Sequence, residues 1–291
     1  MRYGLELPNM GAYADVHALV ELVCLAEEIG WDGVFLWDTV YWEGAREAVC
    51  DPWVALAAIA VRTERIRLGA LITPLSRRRI WKVARETVTL DHLSRGRLVV
   101  GVGLGDLNDG VFTRFGEVID ARQRAGMLDE GLDVLVGLWS GQPFSYSGEH
   151  YQLQDVTFLP SPIQSPRIPI WVGGYWPNKK PMCRAARWDG VLPGKINADG
   201  TPGEFTSADA QAVKTYINGH RSEGGPFDII HGGMTPGDDP EEARAFIGPF
   251  AEAGATWWLE SAGPWPALDL ASMRTRIQQG PPHIDQGAST K

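Results

Sequence analysis

Short apolar, β-branched runs alternate along the chain with longer stretches whose apolar positions recur at helical spacing. The runs near Tyr3–Leu7, Gly33–Trp37, Ile66–Ile72, Leu98–Val102, Ile168–Val172, Gly190–Leu192, Asp228–His231 and Thr256–Leu259 predict strands. Most are nearly continuous in apolar character, as parallel strands are when both faces are covered. Between them the spacing predicts helices over Asp15–Ile29, Trp53–Val61, Trp81–Leu93, Arg122–Trp139, Lys180–Arg187, Ala208–Arg221, Glu241–Ala253 and Leu268–Gln278. In the first, Val16, Leu19, Val20, Val23 and Ala26 share a face and Gly30 supplies a stop. Strands and helices in strict alternation, eight of each, predict an α/β fold of the TIM (β/α)8 barrel type. An open doubly wound sheet is the alternative with the same alternation.

The first four strands start about 30 residues apart, but about 70 residues separate the fourth from the fifth. The excess contains Gly141–Pro166, with Pro143, Phe144, Tyr146, Tyr151, Pro160 and Pro162. It reads as a β-hairpin plus an extended loop, an insertion over about 140–167 between strands 4 and 5. The whole of 1–291 is then one domain, with a frayed tail over about 280–291. Long loops on barrels tend to cover the site, so Phe144, Tyr146 and Tyr151 predict a cover favouring an apolar substrate.

Composition acts by exclusion. Lys+Arg is 27 against Asp+Glu 36, a net charge of −9 over 291 residues, which lacks the positive field of a nucleic-acid binder. There is no apolar run long enough to span a membrane and no signal-peptide layout at the N-terminus. Cys24, Cys50 and Cys183 form no CxxC pair, so neither a disulfide framework nor structural zinc is expected, and the expected compartment is a reducing cytoplasm. The histidines show no metal spacing, and the P-loop, HExxH and GxSxG signatures are absent. Gly101-Val102-Gly103-Leu104-Gly105 looks like a dinucleotide loop, but Asp106 stands where the third glycine belongs and the stretch follows the fourth strand.

In a barrel, function gathers at the carboxyl ends of the strands. Asn9, Trp37-Asp38-Thr39, Trp42, Gly103-Leu104-Gly105-Asp106, Gly173-Gly174-Tyr175-Trp176, Lys195, His231 and Glu260 fall there. Glycines admit a ligand close to the backbone and offer bare N–H groups to an anion, while aromatics offer flat faces. Together they point to a planar heterocycle carrying a phosphate, such as a flavin; the alternative is that the glycines only close tight turns. Gly173-Gly174 leads through Asn178-Lys179-Lys180 into a predicted helix, whose start is a ready phosphate site or simply a solvated end.

Asp38, Asp106 and His231 are the catalytic candidates; the carboxylates Asp38, Asp106 and Glu260 could each act as general acid or base or orient a ligand. Trp37, Gly103, Gly105, Gly173, Gly174, Tyr175 and Trp176 are the cofactor candidates; Asn9, Thr39, Trp42 and Glu260 are the substrate candidates. Each has a structural alternative: a cap for Asp38 and Asp106, an arginine partner for Glu260, a satisfied histidine for His231. Arg77-Arg78-Arg79 either faces solvent or meets an anionic tail.

Several blocks resemble one family. They are Gly30-Trp31-Asp32-Gly33, Thr73-Pro74-Leu75-Ser76-Arg77-Arg78-Arg79, Ala84-Arg85-Glu86-Thr87-Val88-Thr89-Leu90-Asp91, Ser94-Arg95-Gly96-Arg97-Leu98 and Gly101-Val102-Gly103-Leu104-Gly105. Ile170-Trp171-Val172-Gly173-Gly174, Ala186-Arg187-Trp188-Asp189-Gly190 and Thr256-Trp257-Trp258-Leu259-Glu260 continue the likeness to about residue 265. The combination resembles the bacterial luciferase-like monooxygenases, which are flavin- or deazaflavin-dependent oxidoreductases.

The resemblance implies a barrel, a homodimer, and FMN or the deazaflavin coenzyme F420 at the mouth. It also implies a non-prolyl cis peptide near Ala70-Leu71 beneath the ring, and a phosphate after strand five. Many members carry a histidine after the strand-two aspartate, where this chain has Thr39, a residue that does not titrate near neutrality. Arg95 stands where glycine is common. The leading expectation is an FMN-utilising monooxygenase of a small apolar substrate, with a flavin reductase as the expected partner. The alternatives are F420-dependent hydride transfer, a lyase or isomerase using Lys195 on a phosphorylated molecule, and a flavin-storage protein without turnover.

Overall fold

A computed structural model describes residues 1–42, 46–107, 109–222, 225–263 and 269–284. Most of the predicted tail lies outside these residues. In chain order the first half comprises β1 (Arg2–Leu7), α1 (Val16–Ile29), β2 (Gly33–Leu36), α2 (Pro52–Arg62), β3 (Arg67–Ala70), β4 (Thr73–Pro74), α3 (Ile80–Leu93), β5 (Val100–Gly103), α4 (Val111–Arg114) and α5 (Ala121–Trp139). Then come β6 (Phe144–Ser147), β7 (Gln152–Val156), β8 (Ile170–Trp176), α6 (Lys179–Ala185), β9 (Gly190–Ile196), β10 (Pro202–Gly203), α7 (Ser207–Asn218), β11 (Asp228–Gly233), α8 (Pro240–Ala253), β12 (Trp257–Ser261) and α9 (Leu270–Gln278).

The helices start where their sequences say they should. Asp15, Asp51, Asp120, Asp239 and Asp269 each accept a backbone N–H at a helix N-terminus, and Thr206 with Asp209 forms a capping box. Each such cap contributes about 1 kcal/mol. Gly30 ends α1 with φ +107°, a left-handed conformation costly for any residue with a Cβ.

The central sheet runs β3-β2-β1-β12-β11-β9-β8-β5-β4. β3 and β4 are two halves of one broken strand, flanking a non-prolyl cis peptide at Leu71-Ile72. The first half pairs with β2 and the second with β5, and a bridge from Leu68 to Leu98 joins the edges. The ring is therefore a parallel (β/α)8 barrel.

Alternation along each strand divides the core in two. Leu5, Leu7, Val34, Leu36, Val100 and Val172 face the helices, where most buried apolar residues collect. Phe35, Leu71, Val99, Trp171, Ile230, Trp257 and Leu259 fill the lumen. Phe35, Trp171 and Trp257 plug it, with ring centroids 5.0–5.7 Å apart in tilted and edge-to-face pairs. Such large rings need bare backbone opposite: a Cβ on Gly33 would lie 2.8 Å from Trp257, and one on Gly190 2.5 Å from Trp171.

β9 runs four residues beyond the predicted Leu192, through Pro193. It pairs with β8 from Gly190 to Lys195 but with β11 only at Gly190 and Val191. Proline is tolerated where no donor is needed, and Pro193 lies past the last β11 pairing. β9 thus leans on β8 and parts from β11 at the mouth.

The insertion forms the predicted hairpin, β6 against β7, but it does not cover the mouth. Glu130 on α5 accepts the backbone N–H groups of Glu149, His150 and Tyr151 at 2.8–3.2 Å. Phe144 lies against Gly137 of the same helix. Farther on, Asp91 on α3 accepts the N–H groups of Ile163 and Gln164. Phe144, Tyr146 and Tyr151 pack against the outer barrel, not over a substrate. Long loops bury their aromatics wherever a partner surface exists, and α5 supplies one here.

Candidate active site at the barrel mouth

The lumen floor is set by the break between β3 and β4. The cis bond falls at Leu71-Ile72, one residue beyond the expected pair. Leu71 joins the lumen cluster, Ile72 packs on its upper edge, and Ala70 faces the helices. The neighbouring strands make room. A Cβ on Gly101 would lie 2.3 Å from Leu71, one on Gly103 2.1 Å from Ile72, and one on Gly173 3.1 Å from Ile72. These glycines therefore serve neither a turn nor a phosphate in the first instance; they clear space for two bulging side chains.

Gly174 points the other way, where a Cβ would meet Pro181 at 2.4 Å, and it seats α6 against β8. Gly105 has φ +81° beside Phe112 and shapes the loop after β5. The expected phosphate loop is strand instead, since β8 continues through Trp176. Lys179 lies 3.7 Å over the Trp176 ring and 4.4 Å over Tyr216, so its charge is engaged by aromatic faces.

Where β9 and β11 part, a cavity of about 370 Å³ opens. Glu6, Tyr175, Leu192, Gly194, His231 and Ser261 are among its lining residues. Glu6 faces inward from β1, in register between Phe35 and Ser261. The Trp37 indole donates to Glu6 Oε1 at 3.2 Å, and Trp37 stacks on Trp42 with centroids 6.5 Å apart. Burial pushes the Glu6 carboxyl above the usual carboxylate range, against the opposing pull of the Trp37 hydrogen bond. Tyr175, half exposed at the rim, is pushed up by burial and then by the charge of Asp106. His231 sits among Phe205, Phe250 and Trp258, and burial alone draws it down to about 4. It is a neutral imidazole at neutral pH.

The remaining sequence candidates are placed as follows. Asp38 is buried and bound by Arg78 at 2.6 Å and Arg77 at 3.1 Å, while its Oδ2 has no partner among the described residues. Arg77 also pairs with Asp109, which accepts the N–H groups of Val40 and Tyr41. The arginine run thus reaches inward and ties the loop after β2 to the loop after β5. Trp42 is held there by a bridge to Asp109. Asn9 is fully buried, its amide donating to the carbonyls of Thr39 and Cys50 and accepting from the Thr39 N–H.

Glu260 faces the helices, because Leu259 and Ser261 take the inward positions on β12. Thr235 and Arg276 hold it, with the Trp258 indole at 3.3 Å. Asp106 is exposed on the loop after β5. Tyr175 and His231 therefore share the cavity, Trp37 and Trp42 adjoin it through Glu6, Gly103 and Gly173 pack on Ile72, and Asn9, Asp38 and Glu260 are held in buried hydrogen-bond and ion-pair networks. Glu6 and Arg124 escaped sequence reasoning. Arg124, from α5, holds the carbonyls of Leu104 and Gly105. A lone carboxylate in the apolar run Tyr3–Leu7 was the signal for Glu6.

A parallel barrel with a broken third strand thus carries an open cavity at its mouth. The chain belongs to the luciferase-like monooxygenase family, whose model matches residues 4–277. It is 34% identical over 163 residues to an F420-dependent glucose-6-phosphate dehydrogenase of Microbacterium testaceum, covering 55% of this chain and 47% of that protein. It is 32% identical over 150 residues to limonene 1,2-monooxygenase of Rhodococcus erythropolis, covering 52% of this chain and 38% of that protein. The matching segment spans about half the length of the first of these relatives, and less of the second. An F420-dependent secondary alcohol dehydrogenase, solved with an F420-acetone adduct, has the same fold: TM-score 0.78 at 17% identity, over 98% of this chain and 99% of that one.

Proposed function

We propose that this chain is a coenzyme F420-dependent oxidoreductase that transfers a hydride to or from a small organic substrate. The observation that carries the reading is the cavity at the barrel mouth in a chain with F420-dependent relatives. These relatives support F420 over the FMN monooxygenase expected from sequence. The limonene 1,2-monooxygenase relative keeps FMN and oxygen as the second reading.

The residues fit a deazaflavin. Tyr175 offers a flat wall and Leu192 an apolar one, and Gly194, Gly232 and Gly233 present bare backbone on the side where β9 and β11 part. The cavity lies within the usual range for small-ligand sites. When bound, F420 supplies a two-electron hydride donor and acceptor. The aromatic plug of Phe35, Trp171 and Trp257 closes the lumen below, which keeps water from reaching the reacting atoms from beneath.

The lyase reading needs a free amine, but Lys195 is ion-paired with Asp209. Fluorescence titration with F420 and with FMN tests the proposal. Saturable F420 binding, with weak or absent FMN binding, is expected. FMN binding alone would transfer the assignment to the monooxygenase reading.

A further inference from the structure

The proton that accompanies hydride transfer has no obvious carrier among the expected groups. Thr39 replaces the titrating residue, Asp38 is bound by two arginines, His231 is caged by aromatic rings, and Asp106 is exposed on the loop after β5, its charge reaching Tyr175 at the rim. One carboxyl group does face the lumen. Glu6 lines the mouth cavity, with Oε1 fixed by the Trp37 indole and Oε2 without a partner among the described residues. Its neighbours in the barrel are Phe35 on β2, Trp37 just after it, and Leu259 and Ser261 on β12, none of them charged. Across the cavity stand Tyr175, His231 and Lys195, the last engaged by Asp209.

Resting on the F420 reading, we propose that Glu6 exchanges the reaction's proton with the substrate oxygen, and that the substrate is an uncharged alcohol–carbonyl pair. In the reducing direction the carbonyl carbon accepts a hydride from the reduced deazaflavin, and the C=O π pair moves to oxygen. That oxygen takes the proton from Glu6, leaving an alcohol, a Glu6 carboxylate and the oxidised deazaflavin. Solvent then reprotonates Glu6. Burial favours the protonated form of Glu6, the form the reducing direction requires.

The lining also selects the substrate. Among the described residues that line the cavity, Lys195 is the one cation, and it already has its anion. A phosphate or carboxylate on the substrate would meet no free positive charge there, and a carboxyl group instead.

The test uses the full chain, the Glu6→Gln variant and a panel of small uncharged ketones, with glucose 6-phosphate as the charged comparison. Three readouts are taken: F420 binding, the single-turnover rate against pH, and the protonated-carboxyl infrared band of the cofactor-free protein. The expected result is F420 bound by both proteins, ketone reduction slowed at least about 10²-fold in Glu6→Gln, and loss of the alkaline limb of the pH profile. The infrared band is expected in the wild type at neutral pH and absent from the variant. Trp37→Phe, which removes a hydrogen bond that lowers the Glu6 pKa, is expected to move the alkaline limb upward. An unchanged rate and profile in Glu6→Gln, a missing wild-type band, or turnover of glucose 6-phosphate but no ketone would overturn the proposal. Failure of the wild type to bind F420 would overturn the underlying reading, and the proposal with it. The infrared band would still be present in that case, which separates it from a failure of Glu6 itself.

Discussion

His231 shows how burial alone sets a charge state. Its imidazole titrates near 4 in the folded chain, against an ordinary value of 6.5. The unfolded chain therefore takes up the proton first as pH falls. The stability linked to His231 is complete above about 6.5 and is lost as pH drops through about 4, amounting to about 3 kcal/mol. A phenylalanine suits the same cage of Phe205, Phe250 and Trp258. His231→Phe should therefore melt progressively higher than the wild type between pH 7 and 4, and parallel melting curves would contradict this. Glu6 has the opposite sign. Its raised pKa gives stability that is present below 4.5 and lost as pH rises through the folded value. Glu6→Gln should gain on the wild type as pH rises. Arg77 illustrates a different cost. Its removal would leave Asp38 and Asp109 buried without a shared partner, so Arg77→Met should lose about 3–5 kcal/mol in denaturant unfolding.

At the scale of elements, the glycines of β3, β5 and β8 carry the account. Gly69 and Gly103 look alike in sequence but differ in what surrounds them. A Cβ on Gly69 would lie 2.2 Å from the Val99 carbonyl oxygen, which is backbone and cannot move aside. A Cβ on Gly103 would meet the tip of Ile72, which can. Gly69→Ala should cost about 3 kcal/mol of stability. Gly103→Ala should cost about 1 kcal/mol but should weaken F420 binding, because Ile72 would be displaced from its place at the top of the lumen. Chemical denaturation and a binding titration on the two variants check both statements.

The strands and helices were legible because parallel strands leave continuous apolar runs and the helices carry aspartate caps. The break at Leu71-Ile72 came from the family resemblance and landed one residue away. What the runs could not display was facing. Glu260 and Ser261 both end a strand, and only the pairing register shows that Glu260 turns outward. Glu6 was obscured for the same reason, since one carboxylate inside an apolar run carries no mark of the direction it faces. Arg77 needed Asp38 and Asp109, which lie 39 and 32 residues away in sequence, before its inward role could be seen.

At the scale of the molecule, the barrel keeps its chemistry and its insertion apart. The hairpin of β6 and β7 binds the outer face of α5, while the loops after β2 and β5 border the mouth and are tied together through Arg77 and Asp109. Shortening the hairpin over 145–155 should lower the melting temperature and leave F420 affinity and substrate preference unchanged. A changed preference would restore the insertion as a cover. The central claim, that F420 binds at the barrel mouth over Ile72, is tested most directly by titrating F420 into the wild type and into Ile72→Trp, with circular dichroism confirming that both are folded. Binding by the wild type and its loss in the variant is the predicted result. Equal F420 affinity in the two proteins, or FMN bound in preference by the wild type, would contradict it.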